Sequence, residues 1–158
     1  MTMMTVGKEA VFLDTNVLIR FHVATAPDHQ LVRDTLRQLL DEGSIFWISR
    51  QIIREYANVL TRPQPYAAPA APGDVAAQLR LFEQHYRIAD ETALVSSRLY
   101  TLMETTALGG KQIHDANIVA TMQNEGLTHL CTLNIADFAR FSDLIEVISP
   151  HDVLPSKS

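Results

Sequence analysis

Four carboxylates in this chain stand where a folding sequence gains least from having them. Asp14 closes the apolar run Ala10-Val11-Phe12-Leu13 and is followed by Thr15 and Asn16. Glu55 comes three residues after Ile52 and four before Val59, on the apolar stripe of a helical pattern. Asp115 precedes Ile118 and Val119 by the same three and four residues. Asp137 follows a later apolar run, in Thr132-Leu133-Asn134-Ile135-Ala136-Asp137. Carboxylates that face inward are costly to desolvate unless something compensates them. Two of them about 5 Å apart also repel by roughly 3 kcal/mol at an effective dielectric near 20. A shared divalent cation relieves both costs. An all-oxygen donor set, with no thiolate and no obligate histidine, suits Mg²⁺ or Mn²⁺ better than Zn²⁺.

Each acid also has a purely structural reading. Asp14 could cap a following turn, Glu55 could pair with a buried arginine, Asp115 could favour a helix N-terminus, and Asp137 could cap the short helix before Phe138. Taken singly, the structural reading suits Asp137 best and the functional one suits Asp14 best, with Glu55 and Asp115 evenly placed. Taken together, the four need an explanation that brings distant segments to one place.

The elements that would do this alternate in type. Strands are expected around Ala10 to Asp14, Ile45 to Ile48, Arg87 to Ala89, His129 to Leu133 and Ile145 to Ile148. Their spacing is too wide for hairpins and fits helical crossovers, which implies an α/β fold with a mainly parallel five-stranded sheet. Helices are expected over Asp28 to Leu40 with Asp28 as N-cap, from Ser49 to just before Arg62, over Asp74 to Tyr86, over Glu91 to Ala107, and over Ile113 to Asn124 with Gly126 closing it. Residues 62–73 hold four prolines and read as an internal loop, because neither flank is complete without the other. In such a sheet ligands gather beyond the carboxyl ends of the strands, where the strand order reverses. If strands one and four are neighbours there, Asp14 and Asp137 converge.

A length of 158 residues suits a single domain over 1–158, with an ordered core over about residues 9–150. A hydrophobic share of 47% with 20% charged residues argues against wholesale disorder. No apolar run approaches the roughly 18 to 20 residues that cross a bilayer, and Met1 to Glu9 lacks the marks of an export leader. The lone Cys131, within Leu130-Cys131-Thr132-Leu133, reads as a small buried filler in a reducing cytoplasm. A net charge of −5 is unusual for a protein that grips nucleic acid by its backbone, unless acids concentrate in one cation-neutralised site with arginines around it. Ten of the 13 basic residues are arginine, the side chain better matched to phosphate.

The ordered set of segments resembles the PIN domain, and specifically the VapC-type toxin ribonucleases of bacterial toxin–antitoxin pairs. The resemblance is carried by Phe12-Leu13-Asp14-Thr15-Asn16, by the helix from Ser49 to Arg62 with Glu55, and by Ile113-His114-Asp115-Ala116-Asn117. Thr132-Leu133-Asn134-Ile135-Ala136-Asp137-Phe138-Ala139-Arg140 and Ile145-Glu146-Val147-Ile148-Ser149-Pro150 complete it. It implies a three-layer α/β/α sandwich and a metal-dependent endoribonuclease. Asp14, Glu55, Asp115 and Asp137 would form the acidic site, with Asp14 and Asp115 as the main ligands of Mg²⁺ or Mn²⁺. Asn16, Thr132 and Asn134 would support them, and whether Asn134 or Asp137 completes the site stays open. It further implies an RNA substrate, a homodimer and a cognate antitoxin protein, with no membrane role.

Among the remaining residues, Lys111 precedes Asp115 by one helical turn and is a candidate for phosphate contact. Arg50 and Arg54 share a helix face and are weaker candidates. His114 points about 100° away from Asp115 along the helix, which suits a place at the surface or behind the groups that do the chemistry. His22 and His29 read as solvated, and Trp47 and Phe12 as core. Three rival readings stand beside the toxin: a phosphatase phosphorylated on Asp14, a non-catalytic RNA-binding PIN module, and a PIN nuclease outside any toxin pair. The haloacid dehalogenase pattern behind the first wants a second Asp where Asn16 stands.

Overall fold

The sheet begins with the most apolar segment of the chain. In the computed structural model, which describes residues 10–153, Val11, Phe12 and Leu13 are fully buried in β1 (Ala10–Leu13). The leader reading of Met1 to Glu9, and residue 9 as the start of the core, lie outside the described residues. β2 (Ile45–Ser49) and β4 (His129–Cys131) flank β1, and β3 (Arg87–Ala89) and β5 (Glu146–Ile148) form the edges, in the order β3-β2-β1-β4-β5. Every pairing is parallel. Phe12 stands opposite Trp47 on one side and Leu130 on the other. The order reverses between β1 and β4, so the expected switch point exists.

Among the described residues, seven helices lie between the strands and an eighth follows the last: α1 (Thr15–His22), α2 (His29–Asp41), α3 (Arg50–Thr61), α4 (Pro72–His85), α5 (Ala93–Thr105), α6 (Gln112–Asn124) and α7 (Ile135–Phe138), then α8 (Pro150–Val153). A 3₁₀ turn, Ala139–Phe141, follows α7. By the right-handed rule for parallel crossovers, this strand order assigns α1 to α4 to one face of the sheet and α5 and α6 to the other, giving three layers. α1 packs on α2 and α3, α3 on α4, and α5 on α6. No helix among the described residues is long and apolar enough to cross a membrane.

Local chemistry accounts for most element ends. The hydroxyl of Ser49 accepts from the Ile52 N–H at 3.3 Å and opens α3, and Thr92 does the same for Val95 and α5. Gly126 takes φ +70° after α6, and the Leu127 N–H returns to the Met122 carbonyl at 2.8 Å.

Several expectations are corrected. The strand stops at Leu13, and Asp14 caps α1, a helix that periodicity did not reveal because eight residues give too short a window. β4 stops at Cys131, short of Leu133. Asp28 precedes α2 in a left-handed conformation, φ +61°, and makes no side-chain cap bond. The proline-rich loop ends at Ala71, because Pro72 fits the first turn of α4, where its missing N–H costs nothing. Within that loop the Gln64 side chain accepts from the N–H groups of Tyr66 and Ala67.

The two histidines are not solvated. His22 is half-buried, 2.8 Å from the Tyr86 hydroxyl and against the Phe82 ring. Burial, then the Arg33 charge, push its pKa down to about 4. His29 lies 2.7 Å from the Arg20 carbonyl. Cys131 is fully buried as expected, and burial pushes its thiol up to about 12.

Candidate active site

Asp14 leaves β1 at the carboxyl edge of the sheet and is only 6% exposed. Three donors reach its carboxylate: the Thr15 N–H at 2.8 Å, the Thr132 hydroxyl at 2.7 Å and the Asn16 amide at 3.1 Å. Asn16 also accepts from the Leu133 N–H at 3.0 Å, and the Thr132 oxygen accepts from the Asn134 N–H at 3.0 Å. These bonds lace the turn after β1 to the turn after β4. Thr132 and Asn16 thus both hydrogen-bond the Asp14 carboxylate. Burial raises the Asp14 pKa to about 6, and the nearby Glu55 charge adds to the rise against those three donors.

Glu55 projects from the second turn of α3. Its carboxylate accepts from the Thr15 hydroxyl at 2.6 Å and from the Gln51 amide at 2.9 Å. Gln51 is 4% exposed and spans two helices: its amide also donates to the His114 carbonyl at 3.0 Å, and its oxygen accepts from Asn117 at 2.7 Å. The first turns of α3 and α6 are therefore tied together over the sheet edge.

Asp115 lies in the first turn of α6 and is half-buried. Burial raises its pKa to about 6, followed by the charges of Asp137, Asp14 and Glu55, while Arg140 opposes the rise. Each of these carboxylates thus lies within electrostatic reach of Asp115.

Asp14, Glu55 and Asp115 line one cavity of about 440 Å³, together with Asn134, Lys111 and Arg62. Asp137 is exposed on α7 and does not line it; it reaches the group through its charge on Asp115. Among the described residues, no three His, Cys, Asp or Glu side chains already stand close enough to grip an ion. Glu55 is turned onto Thr15 and Gln51, and Asp14 onto Thr132 and Asn16. The donors facing the cavity are nonetheless hard oxygens, the set that Mg²⁺ and Mn²⁺ prefer.

Two sequence candidates lie elsewhere. Arg50 pairs with Glu83 and, at 3.0 Å, with Asp90, and Arg54 holds both oxygens of Glu91 at 2.9 and 3.1 Å. Neither lines the acid cavity. Their partners come from α4 and from the segment after β3, which helix spacing cannot foresee. Arg62, Thr15, Gln51 and Asn117 were given no role in the site by the sequence reading. Gln51 carried a signal, since it precedes Glu55 by four residues on the same inward stripe.

A doubly wound α/β sheet with an acidic cavity at its switch point defines the class. Residues 11–144 match the PIN domain, and the chain belongs to the PIN domain family. No curated protein sequence matches it. Its fold is similar to that of VapC20 from Mycobacterium tuberculosis, a Sarcin-Ricin loop cleaving toxin. That similarity has 18% identity and a TM-score of 0.59, over 76% of this chain and 86% of that one. A toxin–antitoxin complex from Klebsiella pneumoniae is similar at 23% identity and TM-score 0.59, over 89% and 97% of the two chains. FitAcB from Neisseria gonorrhoeae is similar at 19% identity and TM-score 0.61, over 90% and 99%.

Proposed function

We propose that this protein is a metal-dependent endoribonuclease and the toxin of a toxin–antitoxin pair. The observation that carries the reading is the meeting of Asp14, Glu55 and Asp115 in one cavity, two of them with pKa raised to about 6 partly by the other acids. Membership of the PIN family, and folds shared with a Sarcin-Ricin loop cleaving toxin and with a toxin–antitoxin complex, support the same reading.

Asp14 and Asp115 would hold Mg²⁺ or Mn²⁺, which when bound polarises a phosphate and acidifies water. Thr132 and Asn16 hydrogen-bond Asp14 and hold its carboxylate at the cavity it lines. Glu55, held by Thr15 and Gln51, orients the attacking water and receives its proton. Asp137 and Asn134 complete the outer side of the site. Lys111 and Arg62, on the cavity wall, attract the phosphate and offset the carboxylates. The protein acts in the cytoplasm as a homodimer, held inactive by its antitoxin.

The test uses purified protein and a mixed RNA pool with Mg²⁺ or Mn²⁺. Cleavage that requires the cation, stops with chelator, and is abolished in a folded Asp14→Asn variant supports the assignment. Undiminished cleavage by that variant overturns it.

A further inference from the structure

A second cleft, of about 470 Å³, shares two segments with the acid cavity: on α6 and after β4, Gln123 and Arg140 line the cleft where Ile118 and Asn134 line the cavity. Arg98, Thr101, Leu102 and Thr105 form one wall, at the spacing of a single face of α5. Arg140 of the 3₁₀ turn and Asp143 face them. The hydroxyl protons of Thr101 and Thr105 are committed to the Ser97 and Thr101 carbonyls, at 3.2 and 2.9 Å. The positive charge an anion meets in this cleft comes from the two guanidinium groups, with the Thr106 hydroxyl and the Gln123 amide also on its wall.

Arg140 joins the cleft to the acid site. It donates to the Ala107 carbonyl at 3.1 Å, on the loop that leads to Lys111, and it follows Asn134 by six residues; Lys111 and Asn134 both line the acid cavity. Arg98 is exposed and, among the described residues, forms no ion pair, whereas Arg50 and Arg54 are both tied to acids. Asp143 is the single carboxylate on the cleft wall, against two arginines. In a chain of net charge −5, a positive cleft built on the same two segments as the acidic site is a specific placement of charge.

We propose that this cleft seats the single-stranded RNA backbone on one flank of the cleaved bond, with Arg98 and Arg140 each contacting a phosphate. The proposal rests on the ribonuclease reading for its orientation relative to Asp115. Guanidinium groups suit it because they present several N–H donors to phosphate oxygens and stay charged.

The test is anisotropy of a labelled, mixed-sequence single-stranded RNA of about 16 nucleotides, the upper span of a single-strand site. The full-length protein is titrated in calcium, and each variant is checked by thermal unfolding. Arg98→Gln should weaken binding about fivefold and the double variant with Arg140→Gln about twentyfold or more, with the salt slope falling by about 0.7 per arginine. Arg98→Lys should retain most of the affinity, and Arg37→Gln on α2 should stay within about twofold. A double variant that binds like wild type, an equal loss from Arg37→Gln, or a wild type that does not bind this RNA overturns the proposal. Because Arg98 is exposed, its single variant gives the answer even if Arg140→Gln disturbs the turn. Lost binding in the variants of a protein that never cleaves RNA would uphold the cleft and end the nuclease reading. Normal cleavage with unchanged binding would do the reverse.

Discussion

Gln51 and Asn117 meet at 2.7 Å across the mouth of the sheet, and that bond holds α3 and α6 together where Glu55 and Asp115 leave them. The Gln51 amide also serves Glu55 and the His114 carbonyl. A single buried side chain thus sets the spacing between two acids that are 60 residues apart in sequence.

Replacing Gln51 by Leu keeps its bulk and removes all three bonds. The groups left unpaired should lower stability by about 1–3 kcal/mol, measurable by urea unfolding. RNA cleavage should fall about tenfold, because Glu55 keeps only Thr15 as a partner. Unchanged values for both would show that the bridge does not position the site.

Thr132→Val is close in shape and deletes the 2.7 Å donor to Asp14. That bond favours the ionised carboxylate, so losing it should raise the Asp14 pKa above about 6. The acidic limb of the pH–rate profile should move to higher pH. A profile that stays in place while the rate falls would argue for a purely packing role.

The raised acids make a signed prediction for the metal-free protein. Folded Asp14 and Asp115 hold protons up to about pH 6, while the unfolded chain releases them near pH 4. Between those values the native state binds more protons, so stability falls as pH rises. For Asp14 the loss is about 3 kcal/mol; Asp115, being half-exposed, adds less. A divalent cation should therefore raise Tm strongly at pH 7.5 and little at pH 5. Asp14→Asn should flatten the metal-free pH dependence. A cation effect equal at both pH values would contradict the assignment.

His22 predicts the opposite slope. Its folded pKa of about 4 lies below the ordinary 6.5, so the native state resists protonation and stability falls as pH drops through that window. The loss should approach about 3 kcal/mol by pH 4. Calorimetry of His22→Gln should show this acid-side decline reduced, with the neutral-pH RNA cleavage rate unchanged.

The corrected placement of the arginines is also testable. Lys111→Gln and Arg62→Gln should each lower RNA cleavage about tenfold, mainly through KM, because both line the acid cavity. Arg54→Gln, whose charge is spent on Glu91 at the surface, should stay within about twofold. Equal losses in all three would return Arg54 to the substrate path.

The alternation of apolar runs and helical stripes already determined the strands, most of the helices and the inward aim of Asp14, Glu55 and Asp115. Those features depend on periods of two and 3.6 residues, which a chain carries locally. Ser49 as a cap and Gly126 as a stop were legible for the same reason, since each acts on a turn of its own backbone. Tertiary structure decided what a long-range neighbour decides. It drew Arg50 and Arg54 away to Glu83, Asp90 and Glu91, enclosed His22 beside Tyr86, and left Asp137 exposed while its charge still reaches Asp115. It also made Gln51 the joint between α3 and α6. A side chain's type and spacing set the direction in which it points, but its partner is whichever segment the sheet order brings to that place, and parallel crossovers bring segments from far along the chain.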